Sequence, residues 1–356
     1  MTASGSRAPL LLLPADLRGI IPMADANEAV RKAFLDWGEH PDLNATRQRM
    51  HAPSGVRVSV HPGVTPSWSA GGVLIHCEWV NPNAQEQNYD KVAPPATIIY
   101  NSDDGELDAV LVGSVSCREL PDVRSSVAVR TAATSTLGTM AMARADSEVL
   151  GILGSGDQAR NHLVSYLAAH PFKQVLVYSR NVENRERFAA EMSDSTGVPV
   201  IAVSDSESAV TGSDVILAAT NSNVPVLDGN LLRPGQHVTS IVGSNVGLVK
   251  AGKVATQRRE VDDVTLQRSA RIGVVSKRQA IHDQQGDVYK QVEEGSLSWD
   301  NVVELTDLVA GLPGRHSDDE ITLFKNNGGM GIADVAVGAA AFAAARKAGI
   351  GTALDA

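Results

Sequence analysis

The chain has 356 residues, with 31 Lys and Arg against 41 Asp and Glu for a formal charge of −10, 43% apolar residues and two cysteines. That length fills two domains with a buried core, while an acidic balance with no basic run argues against nucleic acid as a partner. Two cysteines make neither a disulfide framework nor a cysteine-rich zinc site, and no apolar run approaches the roughly 20 residues that cross a bilayer. A cytoplasmic protein with no membrane partner is expected.

Taken in chain order, the four leucines of residues 10–13 are closed at once by Pro14, Asp16 and Arg18 and are too short for a signal segment. Residues 25–37 read as a helix, with Val30, Ala33, Phe34 and Trp37 at i, i+3, i+4 and i+7. Residues 72–80, 96–100 and 107–112 are short Val- and Ile-rich runs bounded by turn residues. With Asp103, Asp104 and Gly105 as a hairpin turn, they predict a mostly antiparallel sheet. A long helix over 125–144 then leads to a regular alternation. Strand-like segments at 149–153, 174–179, 199–203, 214–219, 237–242 and 271–275 are separated by crossovers, which predicts a parallel doubly wound sheet. Beyond about residue 315 an Ala-rich helix over 334–348, entered through the flexible glycines Gly328, Gly329 and Gly331, returns to the first domain.

Gly154, Ser155, Gly156, Asp157, Gln158 and Ala159 fit the G-x-G-x-x-G/A fingerprint. The strand before it and the stripe Ala159, Leu163, Val164 and Leu167 after it supply the strand–turn–helix context that a dinucleotide site needs. Gly154 permits the tight turn, Gly156 lets the backbone approach a pyrophosphate, and the helix N-terminus offers its free N–H groups to the anion. About 20 residues on, the second strand ends in Ser179, Arg180 and Asn181 with no acid at the tip, so NADP(H) is expected to be preferred, with NAD(H) possible. No His, Cys, Asp and Glu cluster has metal-ligand spacing, so no metal is expected.

Read together, several segments resemble the ornithine cyclodeaminase and mu-crystallin family. They are residues 129–135 (Val-Arg-Thr-Ala-Ala-Thr-Ser), the fingerprint, 219–222 with 225–227, 232–237 (Leu-Arg-Pro-Gly-Gln-His) and 321–325 (Ile-Thr-Leu-Phe-Lys). The resemblance implies an α/β chain: a Rossmann doubly wound parallel sheet, residues 126–315, inserted into a smaller α+β substrate-binding and dimerisation domain of residues 1–125 and 316–356. It also implies hydride exchange at the α-carbon of an amino or imino acid, or of a keto acid with an amine, in a homodimer. Arg130 matches the arginine that grips the substrate carboxylate, a task suited to a planar, permanently charged guanidinium. A second arginine falls at Arg47 or Arg49, with Arg49 favoured. Thr131, Thr220, Asn221, Ser222 and Gly243 join the fingerprint residues as expected cofactor neighbours.

Two departures reshape that expectation. The family's strand lysine has no counterpart in residues 72–78; its position falls near Leu74 or Ile75. His76 beside it, or Lys91 from the following loop, is the substitute proton carrier. Where the cyclodeaminases carry an acid, this chain has Asn245 after Gly243 and Ser244. The expected activity is therefore an NAD(P)H-dependent imine or ketimine reductase or amino acid dehydrogenase. The alternatives are a cyclodeaminase-type lyase with catalytically bound NAD and a non-catalytic ligand-binding protein.

Overall fold

A computed structural model describes residues 8–80, 89–91, 93–122, 125, 127–250, 252 and 255–354. They form two compact units, one of residues up to Val80, Tyr89–Ala133 and from Gly329 onward, the other of Thr134–Gly328.

In the first unit the predicted amphipathic helix is α1 (Met23–Glu39), and Val30, Ala33, Phe34 and Trp37 are all buried. The sheet contains β1 (Leu10–Leu12), β2 (Gln48–His51), β3 (Val56–Thr65), β4 (Ala70–Val80), β5 (Tyr89–Lys91), β6 (Ala96–Asn101) and β7 (Leu107–Val112). From the edge strand Thr352–Ala353 its order is β1, β7, β6, β4, β3, β2, with β5 also on β4. The leucine patch is thus a strand, parallel to β7, in a sheet that is otherwise antiparallel. Gly105, with φ of 80°, closes the expected β6–β7 turn.

The sequence reading passes over β3, and its burial explains why. Arg57, Ser59, His61, Gly63 and Thr65 face inward, while Val56, Val58, Val60 and Val64 are only half-buried. This inverts the usual alternation of an amphipathic strand, in which the apolar residues face the core. The C-terminal helix Gly331–Ala348 lies against that inward face. The contact is close: a Cβ on Gly331 at the helix entry would sit 2.0 Å from the Pro62 carbonyl oxygen, and one on Gly63 in β3 2.2 Å from the Ile332 nitrogen.

The second unit begins within α2 (Ala128–Met142), the helix that carries the chain out of the first. Its strands are β8 (Val149–Leu153), β9 (Gln174–Tyr178), β10 (Val200–Ala202), β11 (Val215–Ala218), β12 (His237–Ser240), β13 (Arg271–Val274), β14 (Val302–Glu304) and β15 (Thr322–Lys325). All pairs are parallel, in the order β10, β9, β8, β11, β12, β15, β13, β14. All six expected strands are present, together with β14 and β15. Because β15 pairs between β12 and β13, the chain stays in this unit to Gly328. The two compact units divide at 133/134 and 328/329. Leu153, Ile216, Val238, Ile272, Val274 and Leu323 make the centre of its core. Among the described residues no helix is long and apolar enough to cross a membrane.

Candidate functional site

The dinucleotide motif folds as its spacing requires. Gly154 has a φ of 120°, and a Cβ there would lie 2.2 Å from the Ala219 carbonyl oxygen, so only glycine lets the end of β8 run beside the end of β11. Gly156 is different: a Cβ would meet no atom within 4 Å. It is the N-cap of α3 (Asp157–Ala169), and no side chain caps that end. A glycine with open space at an uncapped helix N-terminus fits a pyrophosphate, which takes the room a Cβ would use and the N–H groups of the first turn. Asp157 and Gln158 begin the helix, and Ser155 Oγ donates to Ser179 Oγ at 2.9 Å, tying the turn to the end of β9.

At that end Arg180 and Asn181 are exposed. Asn181 caps α4 (Val182–Thr196) through the Asn184 N–H, and Arg185 stacks over Tyr178 with Nη1 donating to the Ser179 carbonyl at 3.0 Å. Two further strand ends are fastened by a residue the sequence reading missed. Glu260, fully buried, accepts from Thr220 N–H and Oγ1 on one oxygen and from Ser240 Oγ, Ile241 N–H and Val242 N–H on the other. It therefore sets the backbone leading to Asn221, Ser222 and Gly243; in Gln257-Arg258-Arg259-Glu260 it reads only as part of a charged surface run. Asn245 is tied by its own amide, accepting from Arg258 N–H at 2.9 Å and donating to the Thr256 carbonyl at 3.1 Å.

The inward face of the first unit's sheet gathers a second group of the expected residues. Arg130 on α2 is buried, and its Nε donates to Asp334 Oδ1 at 2.7 Å while Nη1 donates to Thr131 Oγ1 at 2.9 Å. Thr131 belongs to this unit, its hydroxyl donating to the Val127 carbonyl. His61 Nδ1 lies 2.8 Å from the other Asp334 oxygen. Burial alone would raise the Asp334 carboxyl, but Arg130 and His61 outweigh it and hold it below its ordinary range. His61 shifts down, mainly through burial and only partly countered by Asp334.

On β4, His76 stands edge-on to His61 at 5.2 Å between centroids and 3.6 Å from Glu78 Oε1, beyond hydrogen-bonding distance. Burial pushes its pKa down to about 4, against the opposing charge of Glu78. Glu78 in turn is paired with the buried Arg57, whose Nε donates at 2.9 Å. Ser59, opposite His76 in the β3–β4 register, is buried; Ser59 Oγ and His76 Nδ1 both lack a hydrogen-bond partner among the described residues. Of the two expected lysine positions, Leu74 is on this face, lining a cavity of about 20 Å³ with Arg130, Asp334, Val115, Val129 and Val337.

Arg49 in β2 is opposite Ser59 and half-buried; Arg47 is buried against Gly329, where a Cβ would come within 2.2 Å of its Nη1. Lys91 ends β5, opposite Glu78 in the backbone register. His76, Arg49 and Arg130 are thus brought together in one unit, whereas His61, Ser59, Arg57, Glu78 and Asp334 went unread. Polar residues alternating with valines in β3 were the available signal. Among the described residues no group of three or more His, Cys, Asp or Glu could hold a metal.

The chain matches the model of the ornithine cyclodeaminase/mu-crystallin family over residues 14–347. It belongs to this family. Among its relatives, the Δ1-pyrroline-2-carboxylate reductase of Paracoccus denitrificans is 32% identical over 66% of this chain and 68% of that protein. The mouse ketimine reductase mu-crystallin is 29% identical over 77% of each. The solved Δ1-pyrroline-2-carboxylate reductase of Thermococcus litoralis, in complex with NADH and L-proline, superposes with a TM-score of 0.81 at 27% identity, covering 97% of this chain and 100% of that one.

Proposed function

We propose that the protein is an NAD(P)H-dependent oxidoreductase that reduces the C=N bond of a small α-imino acid, the reverse reaction being oxidation of the amino acid. The observation that carries this reading is the pairing, in one chain, of the uncapped glycine turn with a buried Arg130 face in a family of imine reductases. A bound nicotinamide dinucleotide supplies the hydride. Its pyrophosphate is held by the N–H groups of residues 156–158 and its ribose by the end of β9. NADPH is preferred, because Arg180 and Asn181 stand where an acid would bind the ribose 2′-hydroxyl.

Arg130 binds the substrate α-carboxylate, with Arg49 as the second cation. His76 is the proton carrier, and Lys91 is the other candidate. At neutral pH the free His76 ring is neutral, and a substrate carboxylate bound nearby would raise its affinity for the proton it delivers to the imine. Asn245 stands where the cyclodeaminases carry an acid and its amide is tied to backbone, so it offers no charge to the distal ammonium of ornithine, and ornithine is a poor substrate.

A homodimer completes the assignment. Half-buried Val60, Ile75, Val73, Ile98 and Val110 are cross-strand neighbours on the outward face of the first sheet, with Trp79 45% exposed at its margin. Such a continuous apolar sheet face suits a second copy. The test is oxidation of NADPH and NADH, followed by absorbance, against cyclic imino acids and keto acids with ammonia or methylamine. Turnover of a cyclic imino acid, faster with NADPH, is expected; ornithine cyclised with no net cofactor change, or no turnover at all, overturns the reading.

A further inference from the structure

The Asp334 carboxylate is divided between two partners, one oxygen taking Arg130 Nε at 2.7 Å and the other 2.8 Å from His61 Nδ1, and all three side chains are buried. With Asp334 ionised, the tautomer that fits is the one with the proton on His61 Nδ1, donating to the carboxylate. The arrangement depends on two glycines. Gly63 and Gly331 let the first turn of the C-terminal helix touch the β3 backbone two residues from His61, which brings Asp334 within bonding distance of the strand. A carboxylate with only Arg130 to hold it keeps its own rotational freedom; one locked on both oxygens fixes the plane of the guanidinium it holds, as second partners do around metal-bound or catalytic groups.

We propose that His61 is a positioning residue: acting through Asp334, it sets the orientation in which Arg130 receives the substrate carboxylate. The clamp is then a unit of three residues from β3, α2 and the C-terminal helix, and His61 itself touches no substrate. This rests on the reading that Arg130 binds a carboxylate.

A carboxylate and its amide distinguish positioning from structural support. L-Proline and L-prolinamide are titrated calorimetrically into the full-length protein with NADH bound. The wild type is expected to bind proline at least tenfold more tightly than the amide, the order of a charge-assisted against a neutral contact. His61→Leu should weaken proline about tenfold and prolinamide much less, with NADH affinity and the thermal midpoint measured alongside. His61→Asn, whose amide N–H can still donate to Asp334, should stay within about threefold of wild type, whereas His61→Phe, which cannot donate, should behave as His61→Leu and replaces it if that variant fails to fold. Equal weakening of both ligands, no weakening, or an Asn variant as poor as Leu overturns the proposal. An imine-reduction assay on the wild type separates the two levels: turnover with an unaltered His61→Leu titration removes this inference alone. Absence of turnover removes the functional reading, and the proline titration still decides the role of His61.

Discussion

The two units differ in what their buried polar groups hold: backbone turns in one, and a cluster of side chains on one sheet face in the other. In the Rossmann unit several buried side chains are each held by more than one partner, although Gln158 Oε1, Asn161 Oδ1 and Gln285 Oε1 there find none among the described residues. Glu260 takes five donors, Lys325 is held between Asp287 at 2.6 Å and Ser240 at 2.8 Å, and both ring nitrogens of His162 and of His237 are bonded. In the first unit, buried groups of the same kinds gather on one sheet face, and Ser59 Oγ and His76 Nδ1 there lack partners among the described residues. Saturated polar groups hold a backbone in shape, and an unsaturated cluster is where a ligand can make up the missing bonds. On the function proposed above, one unit would recognise its ligand by backbone form and the other by side-chain chemistry.

Within the backbone turn itself, two glycines should fail differently. Gly154→Ala places a side chain at φ 120° against the Ala219 carbonyl, and should cost about 3 kcal/mol or more of stability together with dinucleotide binding. Gly156→Ala meets no protein atom, and should leave the denaturant midpoint nearly unchanged while weakening NADPH about tenfold. Equal loss of stability in both variants would break the distinction.

A pH titration tests the two bonded histidines of the Rossmann interior. Burial lowers His162 to about 4 and His237 to about 3, so both are neutral in the fold, whereas the unfolded chain takes up protons from about pH 6.5 downward. Their contribution is complete above that value and is lost as pH falls toward the folded pKa, about 2 kcal/mol for His162 between about pH 7 and about pH 5. Urea unfolding of His162→Gln against wild type should show a shallower pH dependence; an identical slope would contradict it. The smallest effect belongs to the ribose end: Arg180→Ala should lower the NADPH over NADH preference about tenfold, the order of one charge-assisted contact. An unchanged ratio of dissociation constants would take Arg180 out of cofactor selection.

The same division decided what could be read from the sequence. The glycine turn was legible because backbone recognition leaves its trace in spacing: Gly154, Gly156 and Ala159 lie in one stretch between a strand and a helix. The substrate face was legible only at Arg130, Arg49 and His76, where family resemblance or a missing lysine drew attention. Its other members come from distant segments, Arg57 to His61, Glu78 and Asp334, and meet only when β3 pairs with β4 and the C-terminal helix descends on Gly63. In β3 the polar residues point inward, against the rule by which strands are recognised. β15 was passed over because its four residues, flanked by a charged turn and two asparagines, carry no alternation of their own.

The central claim is that carboxylate recognition belongs to Arg130 and is separable from dinucleotide binding, and kinetics on Arg130→Lys test it most directly. Lysine keeps the charge but gives up the bidentate fork and the geometry held by Asp334, so kcat/KM for a cyclic imino acid should fall about a hundredfold while the NADPH dissociation constant stays within about twofold. Near-normal turnover in Arg130→Lys, or a parallel loss of cofactor binding in a variant that folds, would contradict the account.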